Sequence, residues 1–203
     1  MTLKNCLVHD VDTEYDSVKN QLDIYDNWLE YTEEILVKQN WIGHAKTAAY
    51  VISNFHTDVS IADIGCGTGS TGAILTMSGY RNVDGYDIVD SYIDASKKFY
   101  RKTEYCNILE STLPKRYDVI IASGLFNFGC LSSEPAKHIA KSLNRNGTFV
   151  MINPTDDIYL EKSGWNDQEY FDIVETSPEY YGRYANNQWL KYKTNILKKT
   201  LTR

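Results

Sequence analysis

A short apolar run that ends in three alternating glycines constrains the fold of this chain more than any other feature. Residues 59–64 have the length and apolar character of a buried parallel strand, and Gly65, Gly67 and Gly69 follow directly. The apolar spacing over 70–78 then predicts a helix. Because glycine lacks a Cβ, three glycines in one turn let the backbone approach a ligand closely. The stretch therefore predicts a strand, a ligand-binding loop and a helix, with a ligand-free turn as the alternative.

The acid at the end of this strand distinguishes between two kinds of cofactor. Residues 67–72 also spell G-x-G-x-x-G, the dinucleotide fingerprint, in which the first glycine directly follows the strand. Gly67 comes three residues after Ile64, so the register differs from that fingerprint. The carboxylate of Asp63 would also repel a pyrophosphate, whereas it would attract an ammonium group. We therefore expect a cofactor that carries a cation.

The run Asp-x-Gly-x-Gly-x-Gly over 63–69 resembles the first motif of the S-adenosylmethionine-dependent methyltransferases with a Rossmann-like fold. The resemblance implies that this loop, including Cys66, wraps the amino-acid end of S-adenosylmethionine. A short-chain dehydrogenase would instead need a Tyr-x-x-x-Lys pair after the loop. The only such spacing, Tyr15 to Lys19, lies far before it. A nicotinamide-dependent oxidoreductase is therefore the weaker interpretation.

Strands and helices alternate through the middle of the chain. The strands predicted after the first lie over 82–87, 103–106, 117–122 and 148–152, and helices precede or separate most of them. Two further strands, over 170–175 and 190–197, leave no room for a helical crossover and must run antiparallel. The prediction is an α/β fold with a doubly wound, seven-stranded, mostly parallel sheet, a C-terminal antiparallel hairpin and helices on both faces.

The same pattern predicts how the chain is divided. Residues 1–16 are polar without a clear period, and we expect a flexible N-terminal arm. One methyltransferase domain should span 17–203. Within it we expect N-terminal helices over 17–57, the cofactor-binding core over 58–154, and a C-terminal helix and hairpin over 155–203.

Composition limits the partners of this domain. The formal net charge of −6 argues against binding a nucleic-acid backbone, which usually needs a basic face. The four cysteines and four histidines have neither disulfide-scaffold nor metal-ligand spacing, so no metal is expected. No apolar stretch has the length of a signal peptide or a membrane span. We expect a cytoplasmic protein, with a nuclear location left open, that acts on a small molecule or on a protein rather than on nucleic acid or at a membrane.

Residues that follow the predicted strands are the candidates for holding the cofactor, since ligands of such sheets bind at the carboxyl ends of the strands. Asp87, after the second strand, could accept hydrogen bonds from both ribose hydroxyls, although it could equally cap a turn or helix. Ile88 could form an apolar wall for the adenine or belong to the core. The family resemblance implies adenine contacts at Asn107 and Ile108, where Asn107 could also be a plain turn residue. It implies backbone contacts to the methionine portion at Ser123 and Gly124.

Aromatic side chains near both ends of the chain are candidates for the acceptor site. Tyr25 and Trp28, on a predicted helix, could cover the cofactor. Tyr181 and Arg183, in the predicted turn between the last two strands, suit a flat or anionic substrate. Core packing is the alternative for both groups. Tyr25, Tyr181 and His138 could remove a proton in principle, but no catalytic residue is assigned.

A closer resemblance extends over much of 22–152. The segments Tyr-Asp-Asn-Trp-Leu at 25–29, Trp-Ile-Gly at 41–43 and Cys-Leu-Ser-Ser-Glu-Pro at 130–135 are similar to the methyltransferases named after the Williams–Beuren syndrome chromosome region. That resemblance implies no particular acceptor. The Asn-Pro-Pro-aromatic motif of many amino-group methyltransferases is absent after the fourth strand, where this chain has Ser-Gly-Leu-Phe, and this disfavours an adenine-type amino acceptor.

Overall fold

The computed structural model describes residues 32–126, 133–155, 163–165, 168–185 and 188–200. Its helices are α1 (Glu33–Lys38, with π-helical turns), α2 (Gly43–Asn54), α3 (Ser70–Met77), α4 (Asp90–Ser96) and α5 (Ala136–Lys141). Its strands are β1 (Ile61–Ile64), β2 (Val83–Asp87), β3 (Lys102–Tyr105), β4 (Tyr117–Ser123), β5 (Leu143–Pro154), β6 (Phe171–Thr176), β7 (Tyr180–Ala185) and β8 (Gln188–Lys199).

The described strands form one sheet in the order β3-β2-β1-β4-β5-β8-β6, with β7 also paired to β8. Strands β1 to β5 run parallel to their neighbours, and β8 runs antiparallel to β5, β6 and β7. The predicted α/β architecture with a parallel sheet and an antiparallel end is therefore confirmed. Helices connect β1 to β2, β2 to β3 and β4 to β5, because a parallel crossover must return the chain to the same end of the sheet.

The sheet separates two apolar clusters, since successive strand residues point to opposite faces. On one face Ile61, Ile121 and Val150 pack with Ala48 of α2 and Leu75 of α3. On the other face the neighbouring strand residues pack with α5, and this second cluster includes Ala62, Ile120, Phe149, Ala136 and Ile139. Both faces of the central strands are thus covered, which is why these strands are mainly apolar.

The C-terminal part of the sheet differs from the prediction. The sequence predicted seven strands and a turn that carries the aromatic residues from Tyr180 to Trp189. The described part of the chain has eight strands, because 180–185 forms β7 and Trp189 lies in β8. β6 pairs with residues 195–199 of β8, and β7 pairs with residues 188–192 of the same strand. The two short strands therefore lie end to end along one side of β8.

Ser177 and Pro178 explain this interruption between β6 and β7. Proline has no N–H to donate to a ladder, so the pairing breaks at Pro178. The Ser177 Oγ then accepts a hydrogen bond from the Thr194 N–H (3.0 Å), and the Ser177 N–H donates to the Thr194 carbonyl (2.9 Å). β5 also differs from the prediction, because it begins at Leu143 rather than at Thr148.

Candidate cofactor site

The candidate site lies where the order of the strands reverses. From β1 the chain builds β2 and β3 on one side of the sheet and then crosses to β4 on the other side, so the carboxyl ends of β1 and β4 diverge. A crevice of about 410 Å³, counted with its opening to solvent, lies at this edge. It is lined by Thr32, Ile35, Leu36, Trp41, His44, Gly65, Cys66, Gly67, Thr68, Ser70, Thr71 and Ser123.

The loop over 65–69 has the backbone conformation that its glycines predict. Gly65 has φ = 65° and Gly69 has φ = 94°, values in the left-handed region that favours glycine. A Cβ at Gly69 would lie 2.8 Å from Cδ2 of Phe99, and one at Gly65 would lie 2.9 Å from Cδ1 of Leu125. The glycines therefore serve the conformation of the loop and also its close packing on the residues after α4 and β4.

Asp63 lies behind the loop rather than in the crevice. Its side chain is only 1% exposed, and one of its oxygens accepts a hydrogen bond from the Tyr100 hydroxyl (2.7 Å). The Tyr100 hydroxyl in turn accepts from the Gly72 N–H (3.2 Å). Burial raises the pKa of Asp63 to about 7, against the lowering effect of the Tyr100 hydrogen bond. Asp63 thus connects β1 to the first turns of α3 through Tyr100.

Asp87 lies at the end of β2, and its side chain contacts the glycine loop at Gly67. One carboxylate oxygen accepts from the Gly67 N–H (2.8 Å), and the other accepts from the N–H groups of Ile88 (2.8 Å) and Val89 (3.1 Å). Burial raises its pKa, and the three N–H donors oppose that rise. The oxygen that faces Gly67 keeps a second lone pair. The structure brings Asp87 to the glycine loop, and its contact with the ribose stays a prediction. Ile88 is half-buried, and its predicted role as an apolar wall for the adenine also stays a prediction.

The charges near the loop fit a cationic cofactor. Asp63 and Asp87 are both buried, and among the described residues neither has an ion pair with a Lys, Arg or His side chain. Their mutual repulsion contributes to the raised pKa of Asp63. Two buried carboxyl groups without a positive partner attract a cation and repel a pyrophosphate. The residues present therefore fit S-adenosylmethionine, which carries a sulfonium and an ammonium group.

Ser123 and Gly124 lie at the end of β4 on the opposite side of the crevice. The Ser123 hydroxyl donates to Thr47 Oγ1 (2.7 Å) and accepts from Thr71 Oγ1 (3.4 Å), so it links β4 to α2 and α3. Gly124 has φ = 93°, and a Cβ there would lie 3.3 Å from the Trp41 ring. The structure thus brings these two predicted residues close to the glycine loop.

Asn107 and Ile108 are not among the residues that line the crevice. The Asn107 side-chain oxygen accepts from the Leu109 N–H (3.1 Å), and its carbonyl accepts from Glu110 and Ser111, so it builds a turn. Ile108 packs in the cluster under α5. The predicted adenine contacts stay predictions. His138 Nδ1 lies 2.9 Å from the Ile108 carbonyl, which can only accept, so this nitrogen donates, and His138 is not among the lining residues.

The predicted acceptor residues fall into two groups. Tyr25 and Trp28 lie outside the described residues. Tyr181 is 59% exposed on β7, whereas Arg183 on the same strand is only 8% exposed. The Arg183 Nε donates to the side-chain oxygen of Gln39 (2.6 Å), and its Nη2 is buried without a hydrogen-bond partner among the described residues.

Part of the crevice is lined by residues from the segment 32–44, which the sequence did not predict as part of the site. Trp41 and His44 line the crevice there, and the Thr32 hydroxyl lies 2.8 Å from that of Thr68 in the loop. α2 can begin close to Trp41 because Gly43 leaves room for the indole ring, where any Cβ would clash. The Trp-Ile-Gly segment before α2 was the available signal.

The sheet order and the glycine loop together define a methyltransferase of the Rossmann-like class. A TehB-like SAM-dependent methyltransferase from Corynebacterium glutamicum has this fold, with a TM-score of 0.55 at 17% identity, over 78% of this chain and 88% of that chain. A putative RNA methyltransferase from Pyrococcus horikoshii has a TM-score of 0.57 at 14% identity, over 78% and 83% of the two chains. At such identities the likeness concerns the fold alone.

Residues 55–202 match the methyltransferase-domain family, and the chain belongs to this family. S-adenosylmethionine is its cofactor. The ubiquinone biosynthesis O-methyltransferases of two Rickettsia bellii strains are each 30% identical to this chain over 112 residues, which cover 51% of this chain and 46% of each relative. The chain thus spans about half the length of the curated relatives it matches. The closer resemblance to the Williams–Beuren methyltransferases stays a prediction.

Proposed function

We propose that this protein transfers a methyl group from S-adenosylmethionine to a small, flat acceptor that carries an anionic group. The observation that carries the cofactor assignment is the pair of buried carboxyl groups, Asp63 and Asp87, at a glycine loop without a basic partner among the described residues. We assign the loop over 65–69 and the end of β4 at Ser123 to the methionine portion, and Asp87 to the ribose.

The chain's own residues have a limited task in this reaction. Bound S-adenosylmethionine supplies an electrophilic methyl group, so the protein must mainly orient the acceptor and exclude water. Trp41, Ile35 and Leu36 provide apolar surface on the wall opposite the loop. These apolar side chains would exclude water from the crevice, so that water does not compete with the acceptor for the methyl group.

Arg183 supports an anionic acceptor. A guanidinium buried without a carboxylate costs free energy, and an anion that binds there would remove that cost. Gln39, which accepts from the Arg183 Nε, lies two residues before Trp41, so this cation of β7 contacts the segment that leads into the crevice lining. The net charge of −6 further favours a small molecule over nucleic acid. The name of the Rickettsia relatives, an O-methyltransferase in ubiquinone biosynthesis, supports an oxygen acceptor.

Calorimetry and a labelled-methyl assay test this proposal. S-adenosylmethionine and S-adenosylhomocysteine should bind, and NAD should not; binding of NAD alone would overturn the cofactor assignment. With labelled S-adenosylmethionine, 3,4-dihydroxybenzoate should be methylated faster than catechol, which has the same hydroxyls without the carboxylate. Methylation of 4-aminobenzoate or 4-mercaptobenzoate instead would move the acceptor atom to nitrogen or sulfur. Cofactor binding without product from these compounds or from cell extracts would indicate an interaction protein that catalyses nothing.

Within the described ranges, no helix has the length and apolar character needed to cross a membrane.

A further inference from the structure

His44 is a histidine of the crevice to which the proposed cofactor contacts give no role. It lies in the first turn of α2, and its ring lines the crevice together with Trp41, Ser123 and the glycine loop. Gly65 and Gly67 line the same crevice, so an acceptor that enters it could contact both the ring and the loop. Of the other candidate bases from the sequence, His138 is held by the Ile108 carbonyl, Tyr181 is exposed on β7, and Tyr25 lies outside the described residues.

The ring nitrogen Nδ1 of His44 lacks a partner. It is buried and makes no hydrogen bond with any described residue. Leaving a buried polar atom unpaired costs about 1–3 kcal/mol, and such atoms in native structures call for a specific explanation. Because the ring lines the crevice, a ligand that carries a proton to donate would satisfy this nitrogen once the ring turns it toward the crevice.

Among the ionisable side chains that line the crevice, His44 is the one that can accept a proton at pH 7. Burial lowers the pKa of His44 below its usual value, so the ring is neutral at pH 7 and has a lone pair. The other titrating side chain in the lining is Cys66, and burial raises the pKa of its thiol well above the usual range. Asp63 and Asp87 are not among the lining residues, and they are held by the Tyr100 hydroxyl and by backbone N–H groups respectively. The remaining polar lining consists of Ser and Thr hydroxyls.

We propose that His44 is the general base that accepts the proton of the methyl acceptor. This inference rests on the proposed function and adds a catalytic residue to it. In the step, an acceptor oxygen forms a bond to the methyl carbon, the C–S bond breaks with its electron pair moving to sulfur, and the acceptor proton goes to the imidazole. The imidazolium then loses that proton to water, so atoms and charge balance.

Binding and NMR measurements test this role without any acceptor. His44→Gln should bind S-adenosylhomocysteine within about twofold of the unaltered protein by calorimetry, because the base does not hold the cofactor. Ring NMR signals of His44, assigned by their loss in that variant, should shift when S-adenosylhomocysteine binds and should report a neutral ring at pH 7. Three results would each overturn the inference: a tenfold loss of affinity for S-adenosylhomocysteine, a charged His44 ring at pH 7 in the complex, or His44 signals that do not shift when S-adenosylhomocysteine binds.

Kinetics test the chemical role with 3,4-dihydroxybenzoate as the probe. His44→Gln and His44→Asn should lower kcat by about 10²- to 10⁴-fold and remove the acidic limb of the rate–pH profile. His56→Gln, which changes an exposed histidine after α2, is the matched control and should leave both unchanged. If no compound of the panel is methylated, the proposed acceptor class fails, and the NMR result still decides the protonation state required of His44. An unchanged kcat in folded His44→Gln would overturn the inference while leaving the proposed function in place.

Discussion

At the scale of single residues, Asp87 has one role that the structure shows, in the glycine loop, and one that stays a prediction, at the ribose. Its carboxylate accepts three backbone N–H groups around the loop, and one of its oxygens keeps a lone pair. The sequence suggested a ribose ligand or a capping residue as alternatives. The structure makes the two compatible, because Asp87 organises the loop while one lone pair remains for a cofactor hydroxyl.

Replacing Asp87 should therefore weaken cofactor binding. Asp87→Ala should remove about 1.5–3 kcal/mol of affinity for S-adenosylhomocysteine, as expected for hydrogen bonds to a charged group. Calorimetry measures the change, and Asp90→Ala, which removes an exposed acid three residues on, is the control with the same charge change. Equal affinity of folded Asp87→Ala and Asp90→Ala would contradict the assigned role.

Asp63 should make the stability of the protein depend on pH. The pKa of this carboxyl rises from 3.8 to about 7 on folding, so between these pH values the folded protein holds a proton that the unfolded chain has released. The free energy of unfolding should therefore fall by up to about 4 kcal/mol as pH rises through this window and should be level above it. The raised pKa of Asp87 adds a slope of the same sign.

Asp63→Asn should remove most of that slope while keeping an acceptor for the Tyr100 hydroxyl. Denaturant unfolding at pH 5, 6, 7 and 8 measures the difference between the two proteins. Asp58→Asn alters an exposed acid before β1 and should keep the slope of the unaltered protein. Parallel curves for Asp63→Asn and the unaltered protein would mean that Asp63 ionises normally in the folded state.

At the scale of elements, local sequence patterns predict β1, the glycine loop and α3, but one residue of α3 also depends on packing against a residue far along the chain. The apolar run and the glycines predicted its strand, turn and helix, and β1 and α3 lie within two residues of the prediction. Gly72, inside α3, is different. Any Cβ there would clash with the Tyr100 ring, and Tyr100 lies 28 residues further along the chain.

Gly72→Ala should therefore destabilise the protein although alanine is the better helix former. Alanine favours a helix interior by about 1 kcal/mol, but forcing a methyl group against the Tyr100 ring should cost about 1–3 kcal/mol or more. Thermal and denaturant unfolding measure the net loss. Met77→Ala, at a position of α3 that is 87% exposed, should change stability by less than about 0.5 kcal/mol. A stabilised Gly72→Ala would show that Tyr100 is free to move aside.

At the scale of the whole molecule, the sheet separates two cores that should contribute independently. Ile196 on β8 belongs to the cluster under α2 and α3, whereas Ile139 on α5 belongs to the cluster on the other face. Adjacent residues of β8 therefore serve different cores, since Leu197 packs in the second cluster. The antiparallel strand β8 therefore contributes side chains to both faces of the sheet.

Ile196→Val and Ile139→Val should each cost about 0.5–1.5 kcal/mol, and their effects should add in the double variant. Additivity is expected because the two side chains have no common neighbours across the sheet. Urea unfolding measures all three free energies, and Ile173→Val, on the exposed side of β6, should have almost no effect. A coupling energy above about 0.5 kcal/mol would mean that the cores act as one.

The sequence by itself determined the order of strands and helices through β5, the glycine loop and the acids at the ends of β1 and β2, because periodicity and glycine act over a few neighbouring residues. Contacts in the folded chain place Asp63 against Tyr100, form a strand from 180–185 and bring His44 into the crevice lining. Each of these outcomes depends on contacts between residues far apart in the chain, such as the 37 positions between Asp63 and Tyr100, and local patterns contain no information about which distant side chain fills the space beside them.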